Sequence, residues 1–220
     1  MKESVIIRPA AKEHVDDIVR LIMTAMTDDC CLYYAGEGRT LDDFARVLRR
    51  LVLEERSQYS YRNTLIALIV NEKSTTGDER RACIGNAAKR PAVDEKDIVA
   101  GICVAYDGSM LHSLREAFFK ACKEEIDREF ETFADETGPG EYYVDSLAVY
   151  PRYRRRGIAS SLLGAMAERA RAAGLPLGLL VDKTNPDAER MYTAIGFEYV
   201  GDSMWGGHPM KHLVMPPVSH

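Results

Sequence analysis

Hydrophobic and polar positions follow two different periods along the chain, and their alternation predicts strands separated by helices. A short apolar run from Val5 to Arg8 is closed by Pro9 and predicts an opening strand. Apolar residues then recur every three or four positions from Val15 to Met26, which is typical of a helix with one buried face. Thr40 and Asp43 resemble a capping box, and the apolar positions after them predict a second helix. The stretch 28–39 between the two helices, with two Gly and two Tyr, is interpreted as a loop.

The middle of the chain predicts three strands and one further helix. Thr64–Val70 and Ile98–Tyr106 are β-branched apolar runs, and the polar segment 71–97 is expected to connect them as paired strands. Leu111–Phe133 has helical spacing with Glu and Lys on its opposite face. Tyr142–Val149 predicts a strand that stops before Pro151.

The last third is the most regular part of the sequence. It predicts a helix from Ile158 that ends near Gly174, a strand over Leu177–Val181 and a helix opened by Asn185-Pro186. Closing strands are expected at 197–200 and 213–215. Because strands alternate with helices, the pattern predicts an α/β or mixed sheet, and we expect one domain over residues 1–220.

Charge and composition narrow the classes of partner. The chain has 29 basic and 34 acidic side chains, a net charge of -5 and a pI near 5.6. Such a molecule has no overall field to hold it on nucleic acid or an anionic membrane, so we expect neither partner. The amino terminus lacks a secretory apolar core and no window approaches a membrane span, which predicts a cytoplasmic protein. The five cysteines show no metal-ligand spacing, so no metal site is predicted and the cysteines are interpreted as reduced and structural.

A basic loop between a predicted strand and a predicted helix carries the clearest chemical signal. Four Arg and Gly157 lie within residues 152–157 of an acidic chain. Free amides at a helix start, a glycine that allows close approach and arginine side chains together suit a phosphate. A solvated basic loop is the alternative, but the strand before it and the helix after it favour phosphate binding. Neither GxxxxGK[ST] nor GxGxxG is present.

Three motifs resemble the GNAT N-acetyltransferase superfamily. They are the strand segment 145–151, the loop Arg154-Arg155-Arg156-Gly157-Ile158-Ala159, which is similar to the family's R/Q-x-x-G-x-G/A pattern, and the block 185–192 followed by Gly196-Phe197. The resemblance implies a mixed, mostly antiparallel sheet of about six or seven strands, splayed in a V and flanked by helices. The helix at about 110–134, before the fourth strand, departs from the usual family order and is interpreted as an insertion.

The resemblance also implies acetyl-coenzyme A (acetyl-CoA) as the acyl donor. The pyrophosphate would lie on the main chain of the loop and the pantetheine along the preceding strand, with the Val149 amide polarising the thioester carbonyl. The donor-binding residues so implied are Leu147, Ala148, Val149, Arg154, Arg155, Arg156, Gly157, Ile158, Ala159, Ser160 and Asn185. For Asn185, a helix cap explains the residue equally well.

Candidate catalytic groups follow from the same resemblance. Tyr192 matches the family's proton donor to the departing thiolate, although simple packing on a helix face is its alternative. Asp145 is a candidate general base, and it is also a common kind of strand-end residue. His208, in a glycine-rich hairpin, is a second candidate base or acceptor contact, and loss of the proton to water needs no base at all.

Acceptor recognition is expected in the segment after the first helix. Asp28, Asp29, Tyr33 and Tyr34 are close in sequence, and acidic and aromatic groups suit a cationic amine. The same residues are also ordinary on an exposed loop.

The sequence therefore predicts an N-acetyltransferase that moves the acetyl group of acetyl-CoA to a primary amine of a small molecule or peptide, by direct attack in a ternary complex. A non-catalytic acetyl-CoA sensor is the alternative. A nucleic-acid binder is opposed by the acidic total. The sequence leaves the oligomeric state open, with a homodimer as one option.

Overall fold

The computed structural model of the protein describes residues 3–71, 98–131 and 134–216. The strands are β1 (Glu3–Pro9), β2 (Thr64–Asn71), β3 (Ile98–Asp107), β4 (Tyr142–Val149), β5 (Leu177–Asp182), β6 (Glu198–Trp205) and β7 (His208–Met215). The helices are α1 (Val15–Met26), α2 (Asp28–Ala35), α3 (Leu41–Leu53), α4 (Leu111–Ile126), α5 (Ile158–Ala172) and α6 (Pro186–Ala194).

The seven strands form one sheet in the order β1-β2-β3-β4-β5-β7-β6. Every neighbouring pair is antiparallel except β4 and β5, which are parallel. The sheet is thus mixed and mostly antiparallel, as the sequence resemblance implies. The closing strands are longer than expected, because the 206–207 turn lets β6 and β7 pair over their whole length.

Helices cover both faces of this sheet. On one face, α1, α2, α3 and α4 enclose a core centred on Ile18, Phe44 and Leu48, which are fully buried. On the other face, α5 packs Leu162 and Met166 against β2, β3 and β4. Since both faces of the central strands are covered, these strands have near-continuous apolar sequences instead of a strict alternation.

Two helix starts confirm the capping signals in the sequence. The backbone amide of Thr40 donates to Asp43 Oδ2 at 2.8 Å, and the Asp43 amide donates to Thr40 Oγ1 at 3.2 Å. At α6, Asn185 Oδ1 accepts from the amide of Ala188 at 3.1 Å, with Pro186 in the first turn. Each cap satisfies a backbone donor that the helix itself leaves unpaired.

Two expectations from the sequence are wrong. Residues 28–35 form the helix α2 and not a loop, because the pair Cys30 and Cys31 and the pair Tyr34 and Ala35 are buried one turn apart against the neighbouring helices. Helix α4 ends at Ile126 and does not reach residue 133. Asp127 adopts a left-handed conformation (φ 51°) that stops the helix. The expected 71–97 connection lies, apart from Asn71, outside the described residues, as does Cys83.

The inserted helix α4 is fixed to the chain that enters β4. The amide of Gly108 donates to the carbonyl of Glu141 at 2.9 Å. A Cβ atom at Gly108 would lie 2.2 Å from the Gly138 carbonyl oxygen and 2.6 Å from Thr137 Oγ1. The close approach of these two backbones therefore requires glycine at position 108.

Gly108→Ala should lower the free energy of unfolding by roughly 1–3 kcal/mol, because the new methyl group meets backbone that cannot move aside cheaply. Gly138→Ala is the matched control, since nothing lies within 4 Å of a Cβ at that position. Urea denaturation of both variants checks the difference. Equal stability of the two variants would contradict the close approach.

Candidate active site

A β-bulge in β4 opens the centre of the sheet. Ser146 pairs with Val104 and Val144 pairs with Ala105, so Asp145 is an extra residue between them. Strand β5 pairs with β4 only as far as Val144. A bulge bends the strand and strengthens its local twist, and the second half of β4 therefore separates from β5.

The separation leaves main-chain groups of β4 facing a gap. The amide of Tyr150 donates to the carbonyl of Ala100 in β3 at 2.9 Å. Because hydrogen-bonded and non-hydrogen-bonded pairs alternate in an antiparallel ladder, the amides of Val149 and Leu147 point away from β3 and into the gap. The Val149 carbonyl accepts from Nε of Arg154 at 3.0 Å.

The start of α5 faces the same gap. Gly157 is the N-cap, has a left-handed conformation (φ 76°) and offers no capping side chain. The first intrahelical bond runs from the Ser161 amide to the Gly157 carbonyl, so the helix itself leaves the amides of Ile158, Ala159 and Ser160 unpaired. These amides and the helix dipole favour an anion at this position.

One cavity of about 750 Å³ joins the open edge of β4 to the start of α5. It contains ten of the eleven residues expected to bind the donor, together with the candidate acid: Leu147, Ala148, Val149, Arg154, Arg155, Gly157, Ile158, Ala159, Ser160, Asn185 and Tyr192. Arg156 is not among the lining residues. Its guanidinium pairs with Glu3 Oε2 at 3.2 Å and lies over the ring of Tyr153.

Tyr192 reaches this cavity from α6 and is held by the ring of Phe197, with ring centroids 5.7 Å apart in an edge-to-face arrangement. Burial, followed by the neighbouring Cys103, raises the pKa of the Tyr192 hydroxyl above its ordinary value. The hydroxyl is therefore protonated at neutral pH and able to donate a proton or a hydrogen bond.

Asp145, the bulged residue, accepts hydrogen bonds from three neighbours. They come from Ser146 Oγ to Oδ1 at 3.0 Å, from the Tyr106 hydroxyl to Oδ2 at 3.2 Å and from Gln58 Nε2 to Oδ2 at 3.4 Å. Burial and then the negative charge of Glu136 raise the pKa of Asp145 to about 7, while the three hydrogen bonds act in the opposite direction. Its carboxylate can therefore take up and release a proton near neutral pH.

A second cavity, of about 520 Å³, lies beside α2. Tyr33, Tyr34, Phe130 and Trp205 supply aromatic walls, and the 206–207 turn closes one side. The ring of Tyr34 packs 5.5 Å from that of Trp205. We call this space the aromatic cavity. Tyr34 connects the aromatic cavity electrostatically with the bulge. Burial raises the pKa of the Tyr34 hydroxyl, and nearby charges that include Glu136 and Asp145 raise it further.

The other predicted acceptor residues lie apart from this cavity. Asp28 and Asp29 are exposed in the first turn of α2 and are not among the lining residues. His208 begins β7, where Nδ1 lies 3.2 Å from Asp182 Oδ2. Burial would raise the pKa of Asp182, but hydrogen bonds from Thr184 and the contact with His208 hold it below its usual value.

Comparison with known proteins decides the family. The model of the acetyltransferase (GNAT) family matches residues 52–197, well over half of the chain. The chain belongs to the GNAT acetyltransferase family. An acetyltransferase of Agrobacterium fabrum is 42% identical over 65 residues, which are 30% of this chain and 47% of that protein. An uncharacterized protein of Mycobacterium leprae is 38% identical over 65 residues, 30% of this chain and 18% of that one. The match thus spans less than half the length of either curated relative.

Solved structures of GNAT proteins extend the likeness to nearly the whole chain. A crystal structure of an acetyltransferase is 27% identical with a TM-score of 0.70, covering 97% of this chain and all (100%) of that one. An N-acetyltransferase from Staphylococcus aureus Mu50 is 21% identical with a TM-score of 0.67, covering 95% and 99%. The fold implied by the sequence resemblance is therefore confirmed.

The described cysteines of this GNAT chain carry thiols that stay protonated at neutral pH. The four described cysteines are buried and free, and burial raises the pKa of each thiol to about 12. Within the described ranges, no group of His, Cys, Asp or Glu side chains is arranged to hold a metal ion. No helix in these ranges has the length and apolar character needed to cross a membrane.

Sequence reasoning missed the neighbours of Asp145 and part of the aromatic cavity. Gln58, Tyr106 and Glu136 come from three separate segments, and no spacing in the sequence connects them. Phe130 falls within the helix predicted over Leu111–Phe133, whereas it lies beyond the end of α4 and lines the cavity. Trp205, the single tryptophan of the chain, is the one residue whose type could have indicated this cavity in advance.

Asp145→Asn should stabilise the protein at high pH. The pKa in the folded state lies above the ordinary 3.8, so stability is greatest below that value and is lost as the pH rises towards about 7. At pH 8 the substitution should raise the free energy of unfolding by on the order of 2–4 kcal/mol, with little effect near pH 4. Denaturant titrations at the two pH values measure this.

Asp43→Asn is a control of opposite sign, because hydrogen bonds from Thr40 and Arg46 lower the pKa of the exposed Asp43 to about 2. That variant should lose stability at pH 8 and recover relative to the parent as the pH falls through 2. If Asp145→Asn were less stable than the parent protein at pH 8, the folded state would not disfavour the ionised Asp145 carboxylate, and the raised pKa would be contradicted.

Proposed function

We propose that the protein is an N-acetyltransferase that moves the acetyl group of acetyl-CoA to a primary amine of a small molecule or peptide by direct attack in a ternary complex. The main support is the single cavity in which the open edge of β4, the uncapped start of α5 and the Tyr192 side chain face one another. Membership of the acetyltransferase family agrees with this reading.

The cavity fits the chemistry of the donor. A pyrophosphate would accept hydrogen bonds from the amides of Ile158, Ala159 and Ser160, and Arg154 and Arg155 add positive charge at the same end. The pantetheine amides would pair with the free main-chain groups of Leu147 and Val149 in the manner of an added strand. A solved structure of the NatC complex bound to a Gag peptide and CoA has this fold at a TM-score of 0.51 and 15% identity.

Two further groups would act on the thioester. The amide of Val149 would donate to the carbonyl oxygen, where negative charge develops as the amine attacks. Tyr192 would give its proton to the sulfur as the carbon–sulfur bond breaks, and it regains a proton from solvent after the products leave. Asn185 serves α6 as its cap and lines the same cavity, so both of its expected roles are compatible with one position.

Asp145 is the general base in this proposal. The amine must be neutral to attack, and a carboxylate with a pKa near 7 accepts its proton at neutral pH. His208 is less suitable, since its Nδ1 lies 3.2 Å from the carboxylate of Asp182.

The aromatic cavity is the acceptor site in this proposal. Tyr33 and Trp205 can contact an ammonium or an apolar group, and Glu131 adds negative charge at the rim. Glu129 is paired with Lys123 at 2.9 Å, and the guanidinium of Arg128 covers the ring of Phe130. The acidic side chains that face the acceptor are thus those after α4, and Asp28 and Asp29 would act on it only at a distance.

Gly157→Asp should weaken acetyl-CoA binding roughly tenfold or more relative to Gly157→Asn, because a carboxylate at the start of α5 repels the pyrophosphate. Both side chains tolerate the left-handed backbone, and they have nearly the same size, so their ratio isolates the charge. Isothermal titration with acetyl-CoA measures it. Equal affinities would place the donor elsewhere.

Tyr192→Phe should retain acetyl-CoA affinity and lose turnover by on the order of a hundredfold, because the proton donor to the thiolate is missing. Tyr199→Phe is the control, since its hydroxyl contacts Asp202 on an exposed strand. Thiol release across a panel of amines measures turnover. Full activity of Tyr192→Phe would remove this residue from the mechanism.

A non-catalytic acetyl-CoA sensor is the competing function. It would bind the donor through the same cavity and release no thiol with any amine. The chain holds both a protonated tyrosine hydroxyl in the donor cavity and a carboxylate that titrates near neutrality, and this favours the enzyme because a sensor has no use for either group.

A further inference from the structure

A chain of hydrogen bonds runs from Asp145 away from the open edge of β4. The hydroxyl of Tyr106 lies 3.2 Å from Asp145 Oδ2 and 3.3 Å from Glu136 Oε1, so one hydroxyl bridges two carboxylates. Tyr106 and Glu136 are only 3% and 4% exposed. A hydroxyl has one proton to donate, so both contacts can be hydrogen bonds at once only if one of the two carboxyl groups is protonated and donates to the hydroxyl oxygen.

Glu136 is fixed by the inserted helix. The guanidinium of Arg115 in α4, itself 2% exposed, pairs with Glu136 Oε2 and also with Asp135 Oδ1 at 2.7 Å. Burial raises the pKa of Glu136, and the charge of Arg115 opposes that rise. The Glu136 carboxyl is therefore easier to protonate than an exposed glutamate, as a proton carrier requires.

Glu136 borders a third cavity, from which its side chain, 1% exposed, is almost wholly covered. This space has a volume of about 420 Å³ and is lined by Glu136 together with Asp135, Glu141 and His212. His212 Nε2 lies 2.8 Å from Glu141 Oε2. The aromatic cavity and this cavity have no lining residue in common. Solvent in the third cavity is therefore separate from the aromatic cavity, and a small movement of the Glu136 side chain would bring its carboxyl to that solvent.

We infer that Tyr106 and Glu136 form a proton-exit path for Asp145, assembled by Arg115 of the inserted helix and leading to the third cavity. The inference rests on the proposed role of Asp145 as general base. The nitrogen–hydrogen bond of the amine breaks and its proton goes to Asp145. Asp145 passes a proton to the Tyr106 oxygen while Tyr106 gives its own to Glu136 Oε1, and Glu136 releases a proton to water.

Tyr106 serves this path as a neutral hydroxyl. Burial, followed by the charges of Asp145 and Glu136, raises its pKa well above the ordinary value, so a lasting tyrosinate is unfavourable. The two proton movements must therefore be coupled. The other groups whose charges interact with Asp145 are Glu136 in the segment before β4, Tyr143 in β4, Tyr59 before β2 and Tyr34 in α2.

The path is tested with Tyr106→Phe and Glu136→Gln. Tyr106→Phe should lower kcat at pH 7 by roughly tenfold to a hundredfold and leave acetyl-CoA affinity unchanged. Glu136→Gln removes the negative charge that raises the pKa of Asp145 and should move the titration of the Asp145 carboxyl to lower pH by roughly 1–2 units. The titration is followed by the carboxyl carbon signal of Asp145 in protein labelled with ¹³C at aspartate, which needs no acceptor.

Tyr59→Phe is the matched control. Tyr59 is 2% exposed and interacts electrostatically with both carboxylates, yet within the described chain it makes no hydrogen bond to either. Its kcat should stay within about twofold of the parent, since exposed or buried hydroxyls outside the path have no part in proton transfer. Thermal unfolding of all three variants confirms that they are folded.

The outcomes separate the exit path from the proposed function. If the parent protein releases thiol and Tyr106→Phe behaves as Tyr59→Phe does, the path is wrong and the acetyltransferase stands. An unchanged Asp145 titration in Glu136→Gln would likewise overturn the coupling. If the parent releases no thiol with any amine, the proposed function fails, whatever the titration shows.

Discussion

The bulge at Asp145 is the constraint on which the rest of the site depends. One extra residue in β4 ends the pairing with β5 after Val144, and the strand then offers its outward amides to a ligand instead of to a neighbour. Unpaired main-chain groups inside a sheet are costly unless something else satisfies them. The fold thus maintains at its centre an edge that a pantetheine chain is suited to fill, with the start of α5 directly beyond it.

The same bulge places a carboxylate among tyrosines. Asp145 accepts hydrogen bonds from Tyr106, Gln58 and Ser146, and the negative charge of Glu136 acts on its carboxyl. Desolvation and like charge both oppose ionisation, which is why the pKa reaches the range in which an amine can be deprotonated. Since Arg115 of α4 holds Glu136, the inserted helix affects the chemistry of the bulge although it lies outside the donor cavity.

Ten of the eleven predicted donor residues lie in one cavity, whereas only Tyr33 and Tyr34 of the five predicted acceptor residues line the aromatic cavity, and the reason is local structure. The loop 152–157, the start of α5 and the Asn185 cap are contiguous motifs whose conformation follows from neighbouring residues, so they could be found by spacing. The bulge neighbours Gln58, Tyr106 and Glu136 are brought together only by tertiary packing. The sequence of residues 28–35 predicts a loop, because the local pattern does not show that the pairs Cys30-Cys31 and Tyr34-Ala35 are buried. Contacts with α3 and β6 bury them.

A crystal structure with acetyl-CoA bound tests the central claim most directly. The account predicts the pyrophosphate within hydrogen-bond distance of the amides of residues 158–160, and the thioester carbonyl at the amide of Val149, with β4 and β5 still apart beyond Val144. A donor bound outside this gap, or an edge of β4 closed by pairing with β5, would contradict it.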